Sequence, residues 1–87
     1  MPSIFIPPTL RTLTGGVEVV AVEGTTVREA LRHLEQLHPG FESRFCDGGK
    51  LRPGMTLAVN NRFAADGLRT AVGPHDEIHV LPAIGGG

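Results

Sequence analysis

Thr26-Val27-Arg28-Glu29-Ala30-Leu31-Arg32-His33-Leu34-Glu35-Gln36-Leu37-His38-Pro39-Gly40 carries the clearest helical signal in the chain. Thr26 and Glu29 fit a capping box, in which the threonine hydroxyl accepts from the Glu29 amide and the glutamate reaches back. Val27, Ala30, Leu31, Leu34 and Leu37 recur at spacings of three and four, so they form one apolar stripe. Arg28, Arg32, Glu35 and Gln36 take the rest of the circumference, and Pro39-Gly40 stops the helix just past His38. A helix with one apolar stripe needs a surface to cover, and the flanking sequence offers strands.

Upstream, Ser3 to Pro7 is a short apolar run with Ile4 and Ile6 on one face and Phe5 on the other. Pro7-Pro8 ends it, because neither proline can donate to a ladder. Gly15-Gly16 reads as a turn, and Val17 to Val22 as a second strand that completes an amino-terminal hairpin. Downstream, Phe41 to Phe45 reads as one helical turn anchored by two phenylalanines, with Asp47-Gly48-Gly49 and Pro53-Gly54 as loops. Met55 to Val59 is a third strand, Asn60-Asn61 a left-handed hairpin turn, and Arg62 to Ala64 the short return strand. Gly73 to Asp76 is a turn, and Ile78 to Leu81 the final strand. This order is α+β, with one main helix on one face of a mixed sheet of four to five strands. With the first and last strands parallel and adjacent at the centre, it is the β-grasp, or ubiquitin-like, roll.

Composition narrows the function. Eighty-seven residues make one small domain, 1–87, that buries only about 60% of its unfolded surface. A deep catalytic cleft is hard to fit in it, so a non-enzymatic role is expected. Eight Lys+Arg against nine Asp+Glu show no basic excess for nucleic acid or an anionic membrane. The single cysteine cannot form an internal disulfide. Met1 to Pro8 lacks the charged head and long apolar run of a signal peptide, and no apolar stretch approaches the roughly 18 residues of a membrane span. A cytoplasmic protein is expected.

Most candidate chemical groups fail on spacing. Cys46 has no nearby histidine to activate it and reads as a packing residue. His75 and His79 straddle a turn and a strand, so they do not share a helix face as metal ligands and read as surface histidines. Asp76 and Glu77 are adjacent on a strand, where side chains point apart, and solvation of the turn accounts for them. Gly48-Gly49-Lys50 lacks the spacing and the following Ser or Thr of a phosphate loop. What remains is Leu81-Pro82-Ala83-Ile84-Gly85-Gly86-Gly87, directly after a strand. It reads either as a frayed terminus or as a working group. Residues without Cβ make a slender, free string that can thread a narrow channel and present its carboxylate there. A carboxylate is a poor electrophile, so such a group has to be activated, for instance as an acyl-adenylate.

Several pieces occur in order along nearly the whole chain. Gly24-Thr25-Thr26-Val27-Arg28-Glu29-Ala30-Leu31 opens the helix, Val59-Asn60 closes the third strand, and Asp76-Glu77-Ile78 enters the last one. A proline follows that strand, and Gly86-Gly87 ends the sequence. Together they resemble the ThiS/MoaD family of sulfur carriers, prokaryotic relatives of ubiquitin. The resemblance implies that an E1-like enzyme uses ATP to adenylate Gly87, with Gly86 and Gly85 needed for threading, and that the adenylate is exchanged for a thiocarboxylate. It implies no cofactor on this chain, no catalytic residue and no metal; no trimming after Gly87 is expected. The opening Ile6-Pro7-Pro8-Thr9-Leu10-Arg11-Thr12-Leu13-Thr14-Gly15-Gly16 is similar to that of carriers feeding cysteine synthesis, and thiamin carriers generally lack the insert from Phe41 to Pro53. The implied partners are an E1-like adenylyltransferase and a sulfur-accepting synthase: a PLP-dependent cysteine synthase, or alternatively the large subunit of molybdopterin synthase. Conjugation of Gly87 to protein lysines, or a plain interaction domain with an inert tail, are the other readings.

Alternation along the last strand also marks a docking surface. Ile78 and Val80 share one face, and His79 and Leu81 the other. If the first pair meets the helix, Leu81 and Phe5 lie together on the open face of the sheet as partner-binding residues.

Overall fold

The structure, a computed structural model, describes residues 1–82. Its amino-terminal hairpin is β1 (Ser3–Phe5) against β2 (Val19–Ala21). The pairing runs past the strand ends, since the Ile6 amide donates to the Glu18 carbonyl and the Val22 amide to Pro2. Gly15-Gly16 turns the chain as expected, but the connection is longer than a turn. A 3-10 helix fills Pro8–Thr14, and Gly15, at φ 67°, closes it with a left-handed cap. Pro8 suits the first turn because its missing N–H would have had no partner there. Leu10 and Leu13 pack against the core, and the buried Thr14 hydroxyl lies within hydrogen-bond reach of the Arg11 and Val17 carbonyls.

The helix follows as α1 (Val27–Leu37). The Thr26 hydroxyl accepts from the Glu29 amide at 3.2 Å, while the Glu29 carboxylate takes the Thr25 amide and hydroxyl at 2.8 and 3.0 Å, one residue earlier than in the usual box. Val27, Ala30, Leu31 and Leu34 are buried, but Leu37 is 48% exposed and leaves the expected stripe. The reason lies just beyond it. Glu35 accepts from the Gly40 and Glu42 amides, which turns the chain, and Phe41 and Phe45 fill that end of the core.

α2 (Glu42–Phe45) is the expected helical turn. The supposed loop after it is a second, two-stranded sheet, β3 (Cys46–Asp47) with β4 (Lys50–Leu51). Gly48 and Gly49, at φ 62° and 81°, make its turn, a conformation that favours residues without Cβ. β5 (Met55–Val59) and β6 (Arg62–Phe63) are joined by Asn60 and Asn61 at φ 52° and 68°, as their residue type suggested. A short 3-10 helix at Gly67–Arg69 then buries Leu68, and Val72 is buried soon after. β7 (Glu77–Pro82) is longer than expected: Pro82 pairs with Met55 inside the ladder instead of following it.

The main sheet has the order β2-β1-β7-β5-β6, with β1 and β7 parallel and every other pair antiparallel. The registers bring Val20, Ile4 and Ile78 into line, and Leu57 opposite Val80; all five are buried with the α1 stripe. This is the β-grasp arrangement, with the last strand in the middle of the sheet and the helix over one face.

Candidate functional site

The face of the sheet turned away from α1 holds the candidate site. Because side chains alternate, each strand that buries Ile4, Val20, Ile78 or Leu57 must present its intervening residues outward. The registers string those residues into one row across all five strands: Val19, Phe5, His79, Ala58 and Phe63. Leu81 lies in the next row, opposite Thr56. Phe63 is 74% exposed, Leu81 46% and Val19 41%, so this face is apolar and open. Phe5 is half-buried, its ring stacked on His79 with centroids 4.3 Å apart and planes 20° apart. The Glu77 carboxylate stands 3.7 Å from His79 Nε2.

The structure thus brings Phe5 and Leu81 to one face, as alternation required. Phe63 and Val19 were missed. Their signal was available, since both alternate with inward-facing neighbours, but only the cross-strand register shows that they join Phe5. His79 shares this face with Leu81, as the alternation of the last strand gave it, and stays partly exposed beneath the Phe5 ring. Gly85, Gly86 and Gly87 lie outside the described residues.

A clasp fixes the start of β7. Asp76 Oδ2 accepts from the Gly73 amide and Oδ1 from the Asn60 side-chain amide, both at 2.7 Å. Asn60 Oδ1 in turn accepts from the Glu77 amide at 2.8 Å. The Gly73 amide and then Asn60 hold the Asp76 carboxyl below the ordinary aspartate range. Asp76 is therefore tied to two loops, where solvation of the turn had been expected to account for it.

The other sequence candidates are accounted for. Cys46 packs against the core edge, its thiol pushed up by burial and then by Glu42, against a smaller opposing effect of Arg28. Gly49 turns its carbonyl, not an amide, toward a cation, accepting from Arg28 Nη2 at 2.9 Å. Among the described residues no group of three or more His, Cys, Asp or Glu is placed to hold a metal ion, and no helix is long and apolar enough to cross a membrane.

The apolar outer face thus lies across the central strand β7, which the sequence continues as Ala83-Ile84-Gly85-Gly86-Gly87. The sequence pattern of the ThiS family matches residues 4–87. The chain belongs to that family. The sulfur carrier protein CysO of Mycobacterium tuberculosis is 35% identical to it over 91 residues, covering 98% of this chain and 97% of the relative. Small archaeal modifier protein 3 of Haloferax volcanii is 31% identical over 67 residues, 75% of this chain and 73% of that one. The crystal structure of the BexX/CysO complex of Amycolatopsis orientalis contains a chain that superposes with a TM-score of 0.92 at 34% identity, each chain covered in full. As a ThiS-family β-grasp domain, the chain carries its outer sheet face on β7, the strand that leads into the tail.

Proposed function

We propose that this ThiS-family chain is a cytoplasmic sulfur carrier, a protein co-substrate whose Gly87 carboxylate is the working group. The observation that carries the reading is the sequence Ala83-Ile84-Gly85-Gly86-Gly87 continuing directly from β7, a strand paired on both sides. Five extended residues reach at most about 17 Å from the sheet, enough to enter a partner's channel while the fold stays outside. The near full-length likeness to CysO supports the sulfur chemistry and favours cysteine synthesis over molybdopterin or thiamin synthesis. The existence of a BexX/CysO complex supports a carrier that works by docking on other proteins.

In this scheme a Gly87 carboxylate oxygen attacks the α-phosphate of ATP on an E1-like enzyme and releases pyrophosphate. Sulfide sulfur from a donor then attacks the acyl-adenylate carbonyl, AMP leaves, and a thiocarboxylate remains. Its sulfur is a softer and better nucleophile than oxygen. On a PLP-dependent synthase it displaces the leaving group of an activated serine, where the synthase's cofactor stabilises the reacting intermediate. ATP and PLP belong to the partners; this chain supplies the nucleophile and the docking surface. The likeness to a small archaeal modifier protein favours a second use of the same adenylate, in which a lysine amine discharges it to an amide.

The test is intact-protein mass spectrometry after incubation with an E1-like adenylyltransferase, ATP and sulfide. The expected product has one terminal oxygen replaced by sulfur, and deletion of Gly87 abolishes it with the circular dichroism spectrum unchanged. Gain of the same mass by the truncated protein would show that Gly87 is not the site.

A further inference from the structure

The helix side of the molecule carries a feature that the sheet face does not need. Two adjoining hollows lie between α1, the β3–β4 hairpin and the Gly67–Arg69 turn, and they share Arg28, Gly49 and Leu68 as walls. The larger, about 220 Å³, is rimmed by Arg28, Lys50 and Arg69; the smaller adds Arg32, one helical turn beyond Arg28. Four of the chain's eight Lys+Arg but only two of its nine Asp+Glu, Glu42 and Asp66, line them. A chain of net charge −1 thus gathers an excess of two positive charges in one cleft. Among the described residues the ion pairs are Arg11 with Glu18 and His79 with Glu77, so none of these four cations has a carboxylate within 4.0 Å. Arg28 is held in place by its bond to the Gly49 carbonyl, while Arg32, Lys50 and Arg69 stand exposed. Leu31 and Leu68, both buried, line the floor.

We infer that this cleft is a second docking surface, which takes an acidic polypeptide segment of a partner protein. Arg28, Lys50 and Arg69 rim the larger hollow and Arg32 carries the positive charge one turn further along α1, a length that suits carboxylates spaced along an extended chain. A single phosphate would instead want backbone amides turned inward, and the glycine at the shared wall presents its carbonyl, already bonded to Arg28. The cleft lies on the helix side, away from Phe5 and Leu81, so a partner bound there leaves the outer sheet face free. This surface is independent of the sulfur-carrier reading and stands or falls separately from it.

The experiment is an NMR titration of the isotope-labelled full chain with a short poly-glutamate peptide, with inorganic phosphate as the parallel probe. Saturable shifts are expected at Arg28, Arg32, Lys50 and Arg69, weakening as salt is added. The double variant Arg32→Glu, Lys50→Glu should bind the peptide about tenfold more weakly, each exposed pair contributing in the ordinary surface range. Arg62→Glu, on β6, should bind it as the parent does. Both variants should keep the parent's circular dichroism spectrum, so that a loss of binding is not a loss of fold. Equal shifts in the double variant, shifts centred on Arg62 or Arg11, or phosphate alone reproducing the peptide's pattern at the same concentration would each overturn the assignment.

Discussion

Asp76 joins two loops with one carboxylate, and that makes it a residue whose ionisation bears on stability. Its acceptors face an amide at Gly73 and the side chain of Asn60, and both contacts favour the charged form. A carboxyl whose folded pKa lies below its unfolded value, about 3.9 for aspartate, stabilises the fold above that value. The contribution disappears as pH falls through the folded pKa. Asp76→Ala should therefore lower the melting temperature at neutral pH, and the gap to the parent should narrow below about pH 4. Melting curves by circular dichroism over a pH series check this; a gap of constant size would mean that charge on Asp76 plays no part. The two fragments were visible in the sequence as Val59-Asn60 and Asp76-Glu77-Ile78, but nothing there said that they touch. They are 16 residues apart, and only the antiparallel register of β5 and β7 sets Val59 opposite Ile78 and so brings Asn60 to the head of β7.

At the scale of elements, legibility followed length and period. α1 and β5 are long enough to show their repeat, and Asn60-Asn61 shows its turn by residue type. Two-residue strands such as β3 and β4 have no period to read, and a 3-10 helix opened by two prolines looks like a broken strand. Periodicity also cannot tell where the covered surface ends. Leu34 and Leu37 sit on the same stripe by spacing, yet Leu34 is fully buried and Leu37 is half in water because Phe41 and Phe45 occupy the core beyond it. Leu34→Ala should cost about 2–5 kcal/mol, the usual range for a buried leucine with its cavity. Leu37→Ala should stay within about 0.5 kcal/mol of the parent, as surface substitutions do. Urea denaturation of the two variants separates them; comparable losses would put Leu37 back in the core.

The whole molecule divides its labour between its two sides. Its packed interior, with a Cα radius of gyration of 11.8 Å, lies between α1 and the sheet, and the outer sheet face is left as an apolar row from Val19 to Phe63. That row crosses β7, so a partner seated on it holds the base of the strand leading to Gly87. Leu81 is the described residue on this face nearest the tail, and no core contact depends on it: its inward neighbour Val80 is the buried one. Placing a charge there should damage docking and spare folding. Leu81→Arg is expected to weaken binding to an E1-like adenylyltransferase by about 2 kcal/mol or more, as loss of an interface anchor does, with the melting temperature nearly unchanged. Isothermal titration calorimetry beside a thermal melt measures both quantities on the same sample. Unchanged affinity would move the docking surface elsewhere, while a large drop in melting temperature would mean that Leu81 supports the core and that the row across the sheet is structural. If affinity falls and stability holds, the sheet face is the handle by which the tail is delivered.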